Sequence, residues 1–143
     1  MGKVLAVCTS DKKGIGKTDV KECVFVENHG LKGDAHAGDW HRQVSLLAME
    51  RITEFREKGG KVELGDFGEN LVTEGVDLVN LPIGTKLSIG ETLLEVTQIG
   101  KQCHKPCNIF YTVGSCIMPT NGIFAKVLKG GKVKVGDEIQ EVK

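Results

Sequence analysis

The chain has 143 residues, 40% of them apolar and 5% aromatic, and 19 Lys and Arg balance 19 Asp and Glu. That length and apolar share suit one domain over residues 1–143 with a single core. A neutral surface with few aromatics argues against bulk electrostatic capture of nucleic acid or of an anionic membrane, and against an aromatic stacking platform. No apolar run reaches the length of a membrane span, and the N-terminus carries neither a signal-peptide pattern nor a myristoylation context, so a soluble cytoplasmic protein is expected.

In chain order, Lys3 to Thr9 is apolar on both faces, as a buried strand is. The run Gly14-Ile15-Gly16-Lys17-Thr18 contains the Gly-Lys-Thr of a phosphate-binding loop. The motif also needs a glycine at position 11, where Asp11 stands, and a helix afterwards. It therefore reads as a turn between strands, one that could still offer amides or Lys17 to a ligand phosphate. Val20 to Glu27 alternates, with Val20, Val24 and Val26 on one face and Cys23 and Phe25 on the other. Ala48, Met49, Ile52 and Phe55 form a helical stripe, with Ser45 as its cap, Glu54 and Lys58 as an i, i+4 pair, and Gly59-Gly60 as its stop. A shorter helix is expected after Pro106. Thr85–Ile89 and Thr92–Ile99 flank Gly90-Glu91 as a hairpin does, and Lys132–Val135 and Glu138–Val142 flank Gly136-Asp137 in the same way. The pattern predicts a mostly β chain closing into a barrel, with one longer helix and a few short ones.

Five cysteines without an export signal read as reduced thiols rather than a disulfide framework. Cys8 and Cys23 lie in strand-like runs and read as inert, packed thiols. Polar residues concentrate in three stretches. The first, Gly30 to Ser45, holds His36, His41, Arg42, two aspartates and the sole Trp, and reads either as a functional loop or as a merely solvated one. The second is Gly65-Asp66-Phe67-Gly68-Glu69-Asn70-Leu71, with Phe67 as an anchor and Glu69 and Asn70 either turning the chain or facing a ligand. The third is Gly100 to Phe110. There His104 and Lys105 stand beside Cys107, and a helix opened by Pro106 would add its dipole; both lower a thiol pKa toward the nucleophilic or metal-binding thiolate. Two other readings of this third stretch stay open: a zinc site built from Cys103, His104, Cys107 and Cys116, or ordinary packed thiols.

Three groups of residues resemble the MOSC domain, named for the C-terminal part of molybdenum-cofactor sulfurases, in its small free-standing bacterial form. The first is Gly33-Asp34-Ala35-His36-Ala37-Gly38 with Arg42 to Leu47. The second is Phe67 to Leu71 with Leu81-Pro82-Ile83-Gly84. The third is Cys103 to Cys107 with Gly122 to Ala125 and Val135-Gly136-Asp137. The resemblance implies a closed β-barrel, and either binding of the molybdenum cofactor (molybdopterin, a pterin dithiolene carrying a phosphate) or delivery of sulfur to it. By its Pro-Cys context Cys107 matches the family's essential cysteine, which ligates molybdenum or carries persulfide sulfur to a metal-sulfur cofactor. Asn70 matches a cofactor contact of relatives that reduce N-hydroxylated compounds. His36 and Arg42 match phosphate or pterin contacts, with Lys105 a further cofactor-binding candidate. The two cysteines of the third stretch are four apart, where those reductases have them three apart. The reductases' extra N-terminal barrel domain and the sulfurases' pyridoxal-phosphate domain have no counterpart here. The expected partners are therefore cofactor-biosynthesis proteins or a sulfur donor such as a cysteine desulfurase. The alternatives are a molybdenum-dependent reductase of N-hydroxylated compounds, or a non-enzymatic zinc-binding or scaffold module.

Overall fold

A computed structural model describes residues 2–11, 17–35, 37–40, 43–57, 59, 63–65, 69–99 and 122–142. Its strands are β1 (Gly2–Thr9), β2 (Thr18–Asp19), β3 (Glu22–Val26), β4 (Gly30–Leu31), β5 (Val44–Ala48), β6 (Leu71–Glu74), β7 (Lys86–Ile89), β8 (Thr92–Ile99), β9 (Ile123–Lys129), β10 (Gly131–Lys134) and β11 (Glu138–Val142). One α-helix, α1 (Met49–Glu57), and a 3₁₀ turn at Leu78–Asn80 complete the described elements.

The large sheet runs β11-β7-β8-β9-β5-β6-β1-β2, and pairing of β1 with β11 closes seven of these strands into a barrel. Closure removes the exposed edges that an open sheet must protect. All pairs are antiparallel except β5 with β6, where Leu46 stands beside Leu71 and Ala48 beside Thr73. Alternation along these strands sends Val4, Leu46, Leu71, Leu87, Leu94, Ile123 and Ile139 into the barrel. The opposite face of β1, β5 and β6 carries Ala6, Leu47 and Val72, which pack under Ile52 and Phe55 of α1. Burying those two helix side chains contributes roughly 1.5–3 kcal/mol each.

A separate three-stranded sheet, β10-β3-β4, turns Phe25, Leu31 and Val133 inward and leaves Val24 and Val26 exposed. The face of β3 that holds Cys23 and Phe25 is therefore the inner one.

The hairpin expected at Gly90-Glu91 forms: Ile89 pairs with Thr92, and Gly90 takes the positive φ of +55° that its first turn position needs. The look-alike hairpin at Gly136-Asp137 does not form. β10 pairs with β3, β11 pairs with β7 and β1, and the turn between them carries the chain from one sheet to the other. Gly136 N donates to Val4 O at 2.8 Å and Val4 N donates to Asp137 O at 2.9 Å, so the turn docks on the barrel instead of folding β10 onto β11.

Ser45 is likewise not a helix cap. It lies inside β5, whose five residues are all buried, and α1 begins at Met49. The helix ends at Glu57, with Gly59 at φ +96° just beyond. The expected partner of Glu54, Lys58, falls outside the described residues; among those described, Arg51 pairs with Glu54 at 2.8 Å.

Candidate functional site

On the outer barrel face, one row past the apolar layer under α1, the registers align five residues across five adjacent strands. They are Cys8 on β1, Asn70 just ahead of β6, Ser45 on β5, Phe124 on β9 and Gln98 on β8. The first four are at least nine-tenths buried. Buried polar groups need partners, and here they find them in each other. Asn70 Oδ1 accepts from Ser45 N at 2.9 Å and from Ser45 Oγ at 3.3 Å, and Asn70 Nδ2 donates to Cys8 O at 3.0 Å. Asn70 N reaches Ser45 Oγ at 3.0 Å, and Cys8 N donates to Asn70 O at 2.6 Å. The Asn70 side chain thus joins the end of the first polar stretch to the end of the second and ties both to β1.

Above this row the loops are joined by a buried ion pair. Lys17 Nζ and Asp34 Oδ1 are 2.6 Å apart, with both side chains fully buried. The same Asp34 oxygen accepts from Ser10 N at 3.1 Å, and Ala35 N donates to Ser10 O at 2.7 Å. Lys17 N donates to Gly65 O at 2.8 Å, where a Cβ on residue 65 would collide with Lys17 O; only glycine permits that approach, and its φ is +98°. The phosphate-loop look-alike connects two strands as expected, with Thr9 paired to Thr18, and its described end is held by a buried ion pair. Its lysine is the cation that binds the first stretch to the second.

A third link comes from Gln43, 1% exposed. Its Oε1 accepts from Val127 N at 2.9 Å and its Nε2 donates to Asn28 Oδ1 at 3.1 Å. Asn28, at φ +53°, donates in turn to Asp39 Oδ1 at 3.0 Å, which anchors the loop carrying Trp40. No spacing rule signals the Lys17–Asp34 or Gln43–Asn28 contacts, because their partners are brought together only by the fold.

Electrostatics separate the described thiols from a reactive one. Burial pushes the Cys8 thiol up to about 12, with the Glu69 and Asp19 carboxylates acting in the same direction. Burial also raises Cys23, whose Sγ lies 3.6 Å from Lys32 O. Both are poor nucleophiles and poor metal ligands at neutral pH, as expected of packed thiols. Among the described residues no group of three His, Cys, Asp or Glu side chains is placed to hold a metal.

Of the expected site residues, Asn70 stands in the row. His36, Arg42, Lys105 and Cys107 lie outside the described residues, as do Phe67, the zinc alternative's Cys103, His104 and Cys116, and the helix expected after Pro106. The third stretch is framed by Ile99 and Ile123, which pair with each other; Gln98 is two strands from Ser45, about 10 Å at ordinary strand spacing. Described parts of the first and second polar stretches, and the strands β8 and β9 that flank the third, thus lie on neighbouring strands of the barrel.

Comparison with known proteins gives this barrel a class. The MOSC domain model matches residues 33–140, and the chain belongs to that family, which is associated with molybdenum-cofactor binding and sulfur-related function. The YUAD protein from Bacillus subtilis has a similar structure, with a TM-score of 0.80 at 21% identity over 97% of this chain and 94% of that one. YiiM from Geobacillus stearothermophilus gives 0.76 at 19% identity over 100% of this chain and 76% of its own. YiiM from Escherichia coli gives 0.71 at 25% identity over 100% and 70%. No protein of curated function matches. No described helix is long and apolar enough to cross a membrane.

Proposed function

We propose that this protein binds the molybdenum cofactor or carries sulfur for it, with Cys107 as the molybdenum ligand or persulfide carrier. The observation that supports this most is the junction of the first and second polar stretches over the Cys8–Asn70–Ser45 row, with the flanks of the third stretch two strands away. Among the described residues, Ser45, Asn70 and Lys17 are buried and spend their polar groups on one another, on Cys8 O and on Asp34, so they brace the loops of such a site, whereas the only described cysteines have raised pKa values. The soft thiolate is then left to the third stretch, where the Pro-Cys context shared with the family favours Cys107 over Cys103.

In this reading Asn70 is a positioning residue, His36 and Arg42 contact the phosphate or pterin, and Lys105 favours the Cys107 thiolate. The cofactor, when bound, supplies the molybdenum centre. The chain's own task is to hold it, exclude water and present one sulfur. As a carrier, the Cys107 thiolate attacks the outer sulfur of a persulfide on a cysteine desulfurase. A new S–S bond forms at Cys107 as the donor's S–S bond breaks, and the donor cysteine leaves as a thiolate.

Protein purified from a molybdate-fed host should contain molybdenum and pterin, or should gain one sulfur atom by intact mass after incubation with a cysteine desulfurase and cysteine. Cys107→Ala should lose whichever signal is seen, while Cys8→Ala and Cys23→Ala keep it. Absence of metal, pterin and added sulfur from folded wild-type protein would overturn the proposal.

A further inference from the structure

The small sheet presents an outward face that the barrel does not use. Alternation along β3 points Val24 and Val26 outward at 48% and 37% exposure, and Val20 follows the same parity at 42%. Val24 stands between two lysines: Lys132 is its partner on β10, and Lys32, whose N donates to Val24 O at 2.9 Å, flanks it beyond β4. Val26 is flanked by glycines instead. Gly30 is its partner on β4, and on the other side lies Gly130, where a Cβ would come within 2.7 Å of Phe25 O. The face therefore carries two exposed valines: Val24 lies in the Lys32–Val24–Lys132 row, and Val26 lies between two glycines, of which Gly30 is buried under Gln43. Lys134 and Glu22 form the next row, and Glu22 is held by Lys132 at 3.1 Å. The hairpin tip beyond Val26 is bonded through Asn28 to Asp39, next to Trp40, which is 41% exposed.

We propose that this face docks a partner protein through an aliphatic segment carrying acidic side chains. Three lysines against Glu22 on the face and Glu91 at its β10 edge leave a positive excess of one in a chain whose formal net charge is zero. Opposite charge is what such a rim selects. A second copy of this chain is disfavoured, because it would set lysine rim against lysine rim. Branched aliphatics on a rigid sheet gain from contact with other apolar side chains, a gain that phosphate groups cannot supply. This surface stands apart from the cofactor reading, so either can fail without the other.

The test uses the full chain, isotopically labelled, titrated with a short peptide alternating Glu and Val. Amide shifts should concentrate at Glu22–Val26, Gly30–Lys32 and Gly131–Lys134. Binding should weaken about tenfold in Lys32→Glu/Lys132→Glu, as expected from reversing two rim charges. It should weaken severalfold in Val24→Thr, which keeps the strand-forming shape and removes apolar contact; unchanged thermal unfolding checks that both variants fold. The proposal is overturned if the acidic peptide does not bind, if a Lys-Val peptide binds equally well, or if Val24→Thr binds as wild type does. Shifts outside these strands, preference for phosphatidylglycerol vesicles, or self-association through this face would also overturn it.

Discussion

Lys17 and Asp34 are expected to behave as a unit. Their side chains are fully buried and 2.6 Å apart, so each neutralises a charge that water no longer solvates. Lys17→Met leaves the carboxylate buried without its ammonium, and Asp34→Asn does the reverse while keeping an oxygen for Ser10 N. Removing one member of a buried pair costs about 3–5 kcal/mol, whereas removing both charges is often nearly neutral. The double variant Lys17→Met/Asp34→Asn should therefore lie within about 2 kcal/mol of wild type, less destabilised than either single variant. At about 3 °C per kcal/mol for a chain of this size, each single substitution should lower Tm by roughly 10–15 °C. Urea and thermal unfolding followed by far-ultraviolet circular dichroism would measure this. If the double variant's loss equals the sum of the two single losses, the pair is not coupled. Single losses below about 1 kcal/mol would mean that water reaches both groups.

Three further outcomes are expected. Gly65→Ala should cost more than about 3 kcal/mol, because it adds a collision with Lys17 O to a left-handed backbone, whereas Gly33→Ala, at φ +83° with nothing within 4 Å of the new carbon, should cost only about 1–2 kcal/mol; comparison of their urea midpoints tests this. Cys8 contributes stability that is fully present below its ordinary value of 9.0 and lost as pH rises to about 12, on the order of 4 kcal/mol; Cys8→Ala should flatten the alkaline limb of a stability–pH profile, and an unchanged limb would refute it. Asn70→Asp keeps an acceptor for Ser45 N but sets an oxygen against Cys8 O, for a loss of about 2–4 kcal/mol by chemical denaturation, and a loss under about 0.5 kcal/mol would mean that the cross-strand links carry no load.

The barrel was legible where local pattern and long-range pairing agree. Thr92 follows Ile89 after two turn residues and pairs with it, so the β7–β8 hairpin is already written in Gly90-Glu91. The same grammar misleads at Gly136-Asp137. β10 offers only Val133 to the interior and finds its partner in β3, more than a hundred residues earlier, while Ile139 pairs with Ile89. Position 45 misled for a different reason. Val44 to Ala48 is buried on both faces, one toward the barrel and one toward α1, so it lacks the alternation that marks a strand and merges with the helical stripe that follows. The concentration of polar residues did mark the first two stretches, and Asn70 falls where they meet. The Lys17–Asp34 contact was not legible, because a glycine-rich turn and an aspartate 17 residues later carry no local sign of each other.

The chemistry of the outer face changes one row further along. Under α1 the row Ala6–Val72–Leu47 is apolar and packs against Ile52 and Phe55. Two residues along the same strands, about 7 Å away, the row becomes Cys8–Asn70–Ser45, still buried and now tied by hydrogen bonds. Helix packing alone would be served equally well by apolar residues there, since a satisfied buried polar network contributes little net stability over a well-packed apolar one. What the polar row adds is direction. Hydrogen bonds fix where Ser45 and Asn70, which belong to the first and second polar stretches, stand relative to β1. A site of the kind proposed, which would hold reactive groups to within a fraction of an ångström, would need that kind of support beneath it, and the Lys17–Asp34 pair would supply the same restraint from above.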